Sequence, residues 1–156
     1  MVYVFDTSSF IVLGHYFPER FPSFWVHLNE LADAGRLTSV SEVAKELDNQ
    51  NTKGHLAAWI AKHKKLFPPP TTDEMTLVAR IFAVPAFQAL ISQKKRLEGT
   101  AVADPFVIAR AAVLNACVVT EEAPTTKAVR IPTVCSHFKV KCTNLEGLMA
   151  DEGWQY

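Results

Sequence analysis

The sequence predicts an α/β domain in which short buried strands alternate with helices, and three observations carry that prediction. Val2 to Phe5 is a short β-branched and aromatic run, the composition of a strand covered on both faces, as in a parallel sheet. Cys117 to Val119 is a second such run, and each run is followed at once by acidic and hydroxyl residues: Asp6, Thr7 and Ser8 after the first, Thr120, Glu121 and Glu122 after the second. Helical periodicities fill the intervals, so the chain starts β-α-β-α and implies a central, mostly parallel sheet of four to five short strands.

Each element has its own warrant. In FPSFWVHLNELADAG the stripe Phe24, Trp25, Leu28, Leu31 and Ala32 predicts a helix that closes at Gly35. RLTSV is a short strand, and SVSEVAKELDNQ is a helix in which Ser39 and Glu42 have the spacing of a capping box. TKGHLAAWIAKHKKLF is a third helix, with Leu56, Trp59, Ile60 and Leu66 on one face, stopped by Pro68, Pro69 and Pro70. TTDEMTLVARIFA follows with Asp73 and Glu74 at the positive end of its dipole, and PAFQALISQKKRLEG is a further short helix ending at Gly99. ADPFVIARAAVL begins with Asp104 as cap and Pro105 as first helical residue. IPTVCSHF is a short helix, VKC a last strand, and NLEGLMADEG a final helix capped by Asn144.

The 156 residues fit a single domain, residues 1–156. Sixteen basic residues balance sixteen acidic ones, so no global field points to nucleic acid and any such contact has to be local. The odd set Cys117, Cys135 and Cys142 reads as reduced thiols, and Cys135, His137 and Cys142 lack the paired spacing of a structural zinc site. No N-terminal targeting pattern and no membrane-length apolar run is present, so a soluble, cytoplasmic protein with no membrane partner is expected. His15, His27, His55 and His63 are scattered with no metal-binding or catalytic spacing.

Four acidic positions share one geometry. Asp6 and the Glu121/Glu122 pair follow strands, Asp104 opens a helix, and Glu46 lies within one, so a parallel sheet with crossover helices gathers them at one edge. Clustered carboxylates repel unless a cation lies among them, and oxygen-only ligands suit Mg2+ or Mn2+, one ion or two. Such a cation acidifies water and offsets charge at a phosphorus centre during in-line displacement. The competing reading of Asp6 is a plain helix cap, a role that Asp fills routinely.

The strand followed by D-T-S, the V-A-K-E-L helix, A-D-P-F-V-I-A-R-A and V-V-T-E-E resemble, in order and approximate spacing, the four acidic signatures of the PIN-domain nuclease superfamily. The resemblance spans nearly the whole chain. It is nearest to a PIN-like subfamily of unknown function and more broadly similar to VapC-type toxins. It implies a three-layer α/β/α fold and a metal-dependent endoribonuclease, the toxin of a type II toxin–antitoxin system, with RNA as substrate, a cognate antitoxin as partner and pairing of two copies. It assigns Asp6, Glu46, Asp104 and Glu122 as metal-binding, catalytic acids, with the hydroxyls of Ser8 and Thr120 supporting them. Glu122 stands where the family usually has Asp; Glu121 is its alternate, and Glu42 is the alternate to Glu46. Lys45, Arg110 and the KHKK and QKKR clusters are candidate phosphate contacts, with solvated helix faces as the plain alternative. Trp154 and Tyr156 either meet an antitoxin or pack on the domain.

Other classes fit less well. A haloacid-dehalogenase phosphatase needs a second Asp where Ser8 stands, a receiver domain needs an acidic pair at the first strand, and the glycine-rich motif of P-loop enzymes is absent. A PIN-like binding module without activity, or a PIN-type nuclease acting on DNA or in RNA processing, remains the alternative function.

Overall fold

A computed structural model describes residues 1–88, 102–125 and 128–156. The elements are β1 (Tyr3–Phe5), α1 (Thr7–Leu13), α2 (Pro22–Asp33), β2 (Leu37–Thr38), α3 (Ser41–Asn49), α4 (Gly54–Lys62), α5 (Thr72–Phe82), α6 (Asp104–Leu114), β3 (Cys117–Val119), α7 (Ile131–His137), β4 (Lys141–Thr143) and α8 (Leu145–Glu152). The four strands form one all-parallel sheet in the order β2-β1-β3-β4, with Tyr3 level with Leu37 and Cys117, and Cys117 level with Lys141. Strand side chains alternate between faces, yet Tyr3, Val4 and Phe5 are all buried, as are Cys117, Val118 and Val119. The sheet is therefore covered on both sides by helices, the three-layer α/β/α arrangement of a PIN-like fold.

The strand order places the site. The chain runs from β1 outward to β2 and later returns to the other side of β1 as β3, so the connections diverge between β1 and β3. At such a switch point the loops at the carboxyl ends part and leave a crevice. Asp6 and Thr120 are the first residues past those two strands. The amide of Asp6 donates to the Val119 carbonyl (3.1 Å), and Ser9 Oγ donates to the same carbonyl (2.7 Å), which ties the start of α1 to the end of β3.

Several local readings are corrected. Ser39 and Glu42 form no capping box: Val40 is the N-cap of α3 with no side-chain cap, and the buried Ser39 hydroxyl donates instead to the Phe5 carbonyl (2.7 Å). The demand of a strand-end carbonyl outweighed the local capping option. Asp104 is not the cap of α6 either; Ala103 holds that place and Asp104 is the first helical residue. The third helix breaks at His63, and Lys64–Leu66 forms a separate 3-10 turn. The segment ending at Gly99, including QKKR, lies for its greater part outside the described residues.

The role found for Ser39 is open to measurement. Ser39→Ala leaves a buried carbonyl short of its donor and is expected to destabilise the protein by about 1–3 kcal/mol. Ser41→Ala, at the half-buried start of α3 where the hydroxyl has only a long bond to Glu42 (3.5 Å), is expected to stay within about 0.5 kcal/mol. Urea unfolding of the two variants compares them directly.

Candidate functional site

Asp6 has two structural functions at once. It is the N-cap of α1, its Oδ1 accepting from the Ser9 amide (2.8 Å), and it lies buried at the β1–β3 crevice. Ser8 Oγ donates to both carboxylate oxygens (2.8 Å each), and Thr120 Oγ1 donates to Oδ2 (2.5 Å). Burial pushes the Asp6 carboxyl above the ordinary aspartate range, and the bonds from Thr120, the Ser9 amide and Ser8 offset only part of that. The hydroxyls are in turn held by the backbone: the Glu121 amide donates to Ser8 Oγ (3.0 Å) and the Glu122 amide to Thr120 Oγ1 (3.1 Å). The loop after β3 is thus registered on the Asp6 carboxylate through two hydroxyls.

Glu46 reaches the same place from α3. It is buried, accepts from Thr7 Oγ1 at Oε2 (2.5 Å) and from the Ala103 amide at Oε1 (2.9 Å), and so joins α1, α3 and the start of α6. Asp104, one residue further along, is buried beside it. Asp6, Glu46, Asp104 and Glu122 together line one cavity of about 170 Å3, with Thr7, Ser8, Ile11 and Gln50 completing the wall. The four acids that the sequence singled out are therefore brought to one cavity.

The alternates separate from this set. Glu122 lines the cavity while its Oε2 accepts from the Ile131 amide at the start of α7 (3.0 Å). Glu121 is turned the other way, its Oε1 accepting from the Leu145 amide at the start of α8 (2.8 Å). Glu42 bonds with Lys45 (3.0 Å) and is not part of the cavity wall. The reason given by the sequence for preferring Glu46 was wrong, since no capping box exists, while the burial of Glu46 at the cavity supplies a different one.

The basic candidates take other positions. Lys45 is largely exposed and pairs with Glu42. Arg110 packs inward: its Nε and Nη2 donate to Thr38 Oγ1 (3.1 and 3.0 Å), and Nη1 donates to the buried Glu74 (3.4 Å). Its guanidinium serves an internal ion pair, and this overturns the reading of Arg110 as a phosphate contact. Lys62, Lys64 and Lys65 of the KHKK cluster are exposed. Trp154 packs edge-on to Phe24 and stacks on His27, and the Tyr156 hydroxyl bonds with His27 Nδ1 (2.6 Å), so the C-terminal aromatics lie on α2. His137 lies edge-on to Phe87, consistent with packing rather than metal ligation.

Ile11 and Gln50 are cavity residues that the sequence reading did not place there, while Thr7, whose hydroxyl was weighed between a cap and support of the site, lines the cavity. For Gln50 a signal was available, since it stands one helical turn from Glu46. Chemically the cavity offers oxygen donors only, the set that suits a hard divalent cation. Among the described residues no three His, Cys, Asp or Glu side chains form a ready-made ligand set.

The family model described as Domain of unknown function (DUF4411) matches residues 3–156. No curated protein matches the chain. Among solved structures, the chain is similar to one in the crystal structure of VapBC2 from Rickettsia felis bound to a DNA fragment from their promoter. The identity is 15%, the TM-score 0.51, and the match covers 92% of this chain and 98% of that one. At that identity the similarity shows the fold. Among the described residues no helix is long and apolar enough to cross a membrane.

Two stability outcomes follow from this geometry. Because the folded-state pKa of Asp6 is raised, the folded protein favours its protonated form, and stability is lost as pH rises from the unfolded value through the folded one. Without divalent cations, Asp6→Asn is expected to be more stable than wild type at neutral pH. That gain should disappear below about pH 3.9, where Asp6 is protonated in both states; thermal melts across pH read it. Arg110→Ala strands the Glu74 carboxylate and is expected to cost about 3 kcal/mol, recovered in part by adding Glu74→Gln, as measured by urea unfolding.

Proposed function

The chain belongs to the family described as Domain of unknown function (DUF4411), and from that premise and the site's geometry we propose that it is a divalent-metal-dependent endoribonuclease. The observation that carries this reading is the convergence of Asp6, Glu46, Asp104 and Glu122 on one cavity at the β1–β3 switch point. These four carboxylates would hold Mg2+ or Mn2+. When bound, such an ion acidifies a water molecule and offsets the charge that builds on a phosphodiester under in-line attack.

The chain's own residues do the rest. Asp6 is held by three hydrogen-bond donors, burial still disfavours its anionic form, and a bound cation would stabilise that form. Ser8 and Thr120 fix the carboxylate's rotation, and through their bonds from the Glu121 and Glu122 amides they keep the fourth acid's loop in register. Thr7 and the Ala103 amide fix both oxygens of Glu46. No histidine lines the cavity, in keeping with a reaction that takes its nucleophile from water and needs no 2′-hydroxyl.

Within this reading the protein is the toxin of a type II toxin–antitoxin system, with RNA as substrate, a cognate antitoxin as inhibitor and two copies pairing. The four acidic motifs and the shared fold with a chain of the VapBC2 structure support it. A second reading, an inactive binding module on the same fold, is favoured by one observation: the acids form no ready-made ligand set among the described residues.

Incubation of a mixed RNA pool with purified protein separates the two. Cleavage is expected with Mg2+ or Mn2+, none with EDTA, and a loss of at least about a hundredfold in Asp6→Asn and Asp104→Asn. Folded wild-type protein that neither cuts the pool nor gains thermal stability from Mn2+ would establish the binding module instead.

A further inference from the structure

The chain has three cysteines, and the sheet register separates one of them from the other two. Cys117 of β3 is level with Lys141 of β4, and Val118 is level with Cys142. Level residues on paired strands point to the same face and successive residues to opposite faces, so Cys117 and Cys142 point to opposite sides of the sheet. Cys135 lies on α7, which runs into β4 through a tight closure. Lys139 takes a left-handed φ of 57°, its amide donates to the Ser136 carbonyl (3.3 Å), and the Val140 amide donates to the Cys135 carbonyl (2.8 Å). In such a closure the residue at the position of Val140 turns back toward the one at the position of Cys135. Cys142 stands two residues further on, so strand alternation brings it to the same side.

The two thiols meet there. The Cys135 side chain donates a hydrogen bond to Cys142, which holds the Cys142 thiol below the ordinary cysteine range and pushes Cys135 above it. Their accessibility differs: Cys135 is buried, while Cys142 is exposed and lines a surface cavity of about 270 Å3 with Thr120, Glu122 and Pro132. An accessible thiol with thiolate character beside a sheltered second thiol is the arrangement of a peroxide-sensitive pair. Cys117 lacks both features. It is buried, its Sγ bonds to the Val118 carbonyl (3.6 Å), and burial pushes its thiol up to about 11.

We propose that Cys135 and Cys142 form a reversible oxidation site, which hydrogen peroxide closes to a disulfide within the chain. The Cys142 sulfur attacks the peroxide, the O–O bond breaks, one oxygen leaves as water and Cys142 becomes a sulfenic acid. The Cys135 sulfur then attacks the Cys142 sulfur, the S–O bond breaks, and a second water leaves as the S–S bond forms. Two thiols and one peroxide thus give one disulfide and two waters, the sulfurs losing the two electrons that the peroxide gains. A dithiol reductant reverses the reaction by exchange. The bond joins α7 to β4, and both elements hold the loop after β3: the Ile131 amide of α7 donates to Glu122, and the Thr120 amide donates to the Thr143 carbonyl of β4.

The test is peptide mapping of the full chain after hydrogen peroxide, with free thiols alkylated in denaturant, for wild type, Cys117→Ser, Cys135→Ser and Cys142→Ser. Wild type and Cys117→Ser are expected to lose alkylation at Cys135 and Cys142 at least about tenfold, to yield the two peptides joined by a disulfide, and to recover both thiols with dithiothreitol. Cys117 is expected to stay alkylated in the wild type. Cys135→Ser is expected to stop at a sulfenic acid on Cys142, captured by dimedone, and Cys142→Ser to keep Cys135 as a thiol. Where a cysteine variant does not fold, the wild-type map alone decides. A disulfide through Cys117, a disulfide between two chains, a sulfinic acid on Cys142 with Cys135 still a thiol, or three free thiols after peroxide overturns the pair.

Discussion

The arrangement of this protein depends on one desolvated carboxylate. Asp6 is buried at the end of a buried strand, where an uncompensated negative charge is costly, and the structure surrounds it with the Ser9 amide and the hydroxyls of Ser8 and Thr120. Those donors come from two different segments, the start of α1 and the loop after β3. Satisfying one anion therefore fixes the two halves of the switch point against each other. Because Ser8 and Thr120 also accept from the Glu121 and Glu122 amides, the hydrogen bonds run in sequence from backbone to hydroxyl to carboxylate, an order in which each polarises the next.

A similar economy governs the other acids. Glu46 is bonded to a hydroxyl of α1 and to the amide just before α6, so a single side chain on α3 joins three helices at the cavity. Glu122 and Glu121, adjacent in sequence, reach the starts of α7 and α8 respectively, where the positive ends of the helix dipoles favour carboxylates. Only Glu122 also faces the cavity. Among the described residues, main-chain donors and hydroxyls hold Asp6 and Glu46 in place.

The architecture was legible because its signals are local and periodic. Three-residue strands flanked by acids, and apolar stripes such as Phe24, Leu28 and Leu31, need no long-range information. The gathering of the four acids was legible for a related reason: Asp6 and Glu122 lie past strands, Asp104 at a helix start and Glu46 within a helix, and the topology brings those positions to one edge. Capping was where the reading failed. Ser39 and Asp104 have the right residue types and spacings for caps, yet tertiary demands reassigned both, Ser39 to the Phe5 carbonyl and Asp104 to the cavity wall. Arg110 was misread because its partner, Glu74, is thirty-six residues away on a helix whose packing against α6 the sequence does not reveal. Gln50 went unplaced because it looks like an ordinary helix residue until Glu46 is known to point between α1 and α6.

Charge balance across the chain and charge imbalance at the cavity have to be read together. Sixteen cationic and sixteen anionic side chains leave no net field to draw in a polyanion, and among the described residues Lys45 and Arg110 are tied to Glu42 and Glu74. Four carboxylates lining one cavity disfavour an approaching phosphate unless positive charge lies close to them. On the reading proposed above, a divalent cation would supply such charge at the point where the acids converge, and screening by the same ion would lower the repulsion felt by an approaching backbone. The ion would then be a condition of substrate access as well as of chemistry, and binding of the polyanion and binding of the cation would become one linked equilibrium.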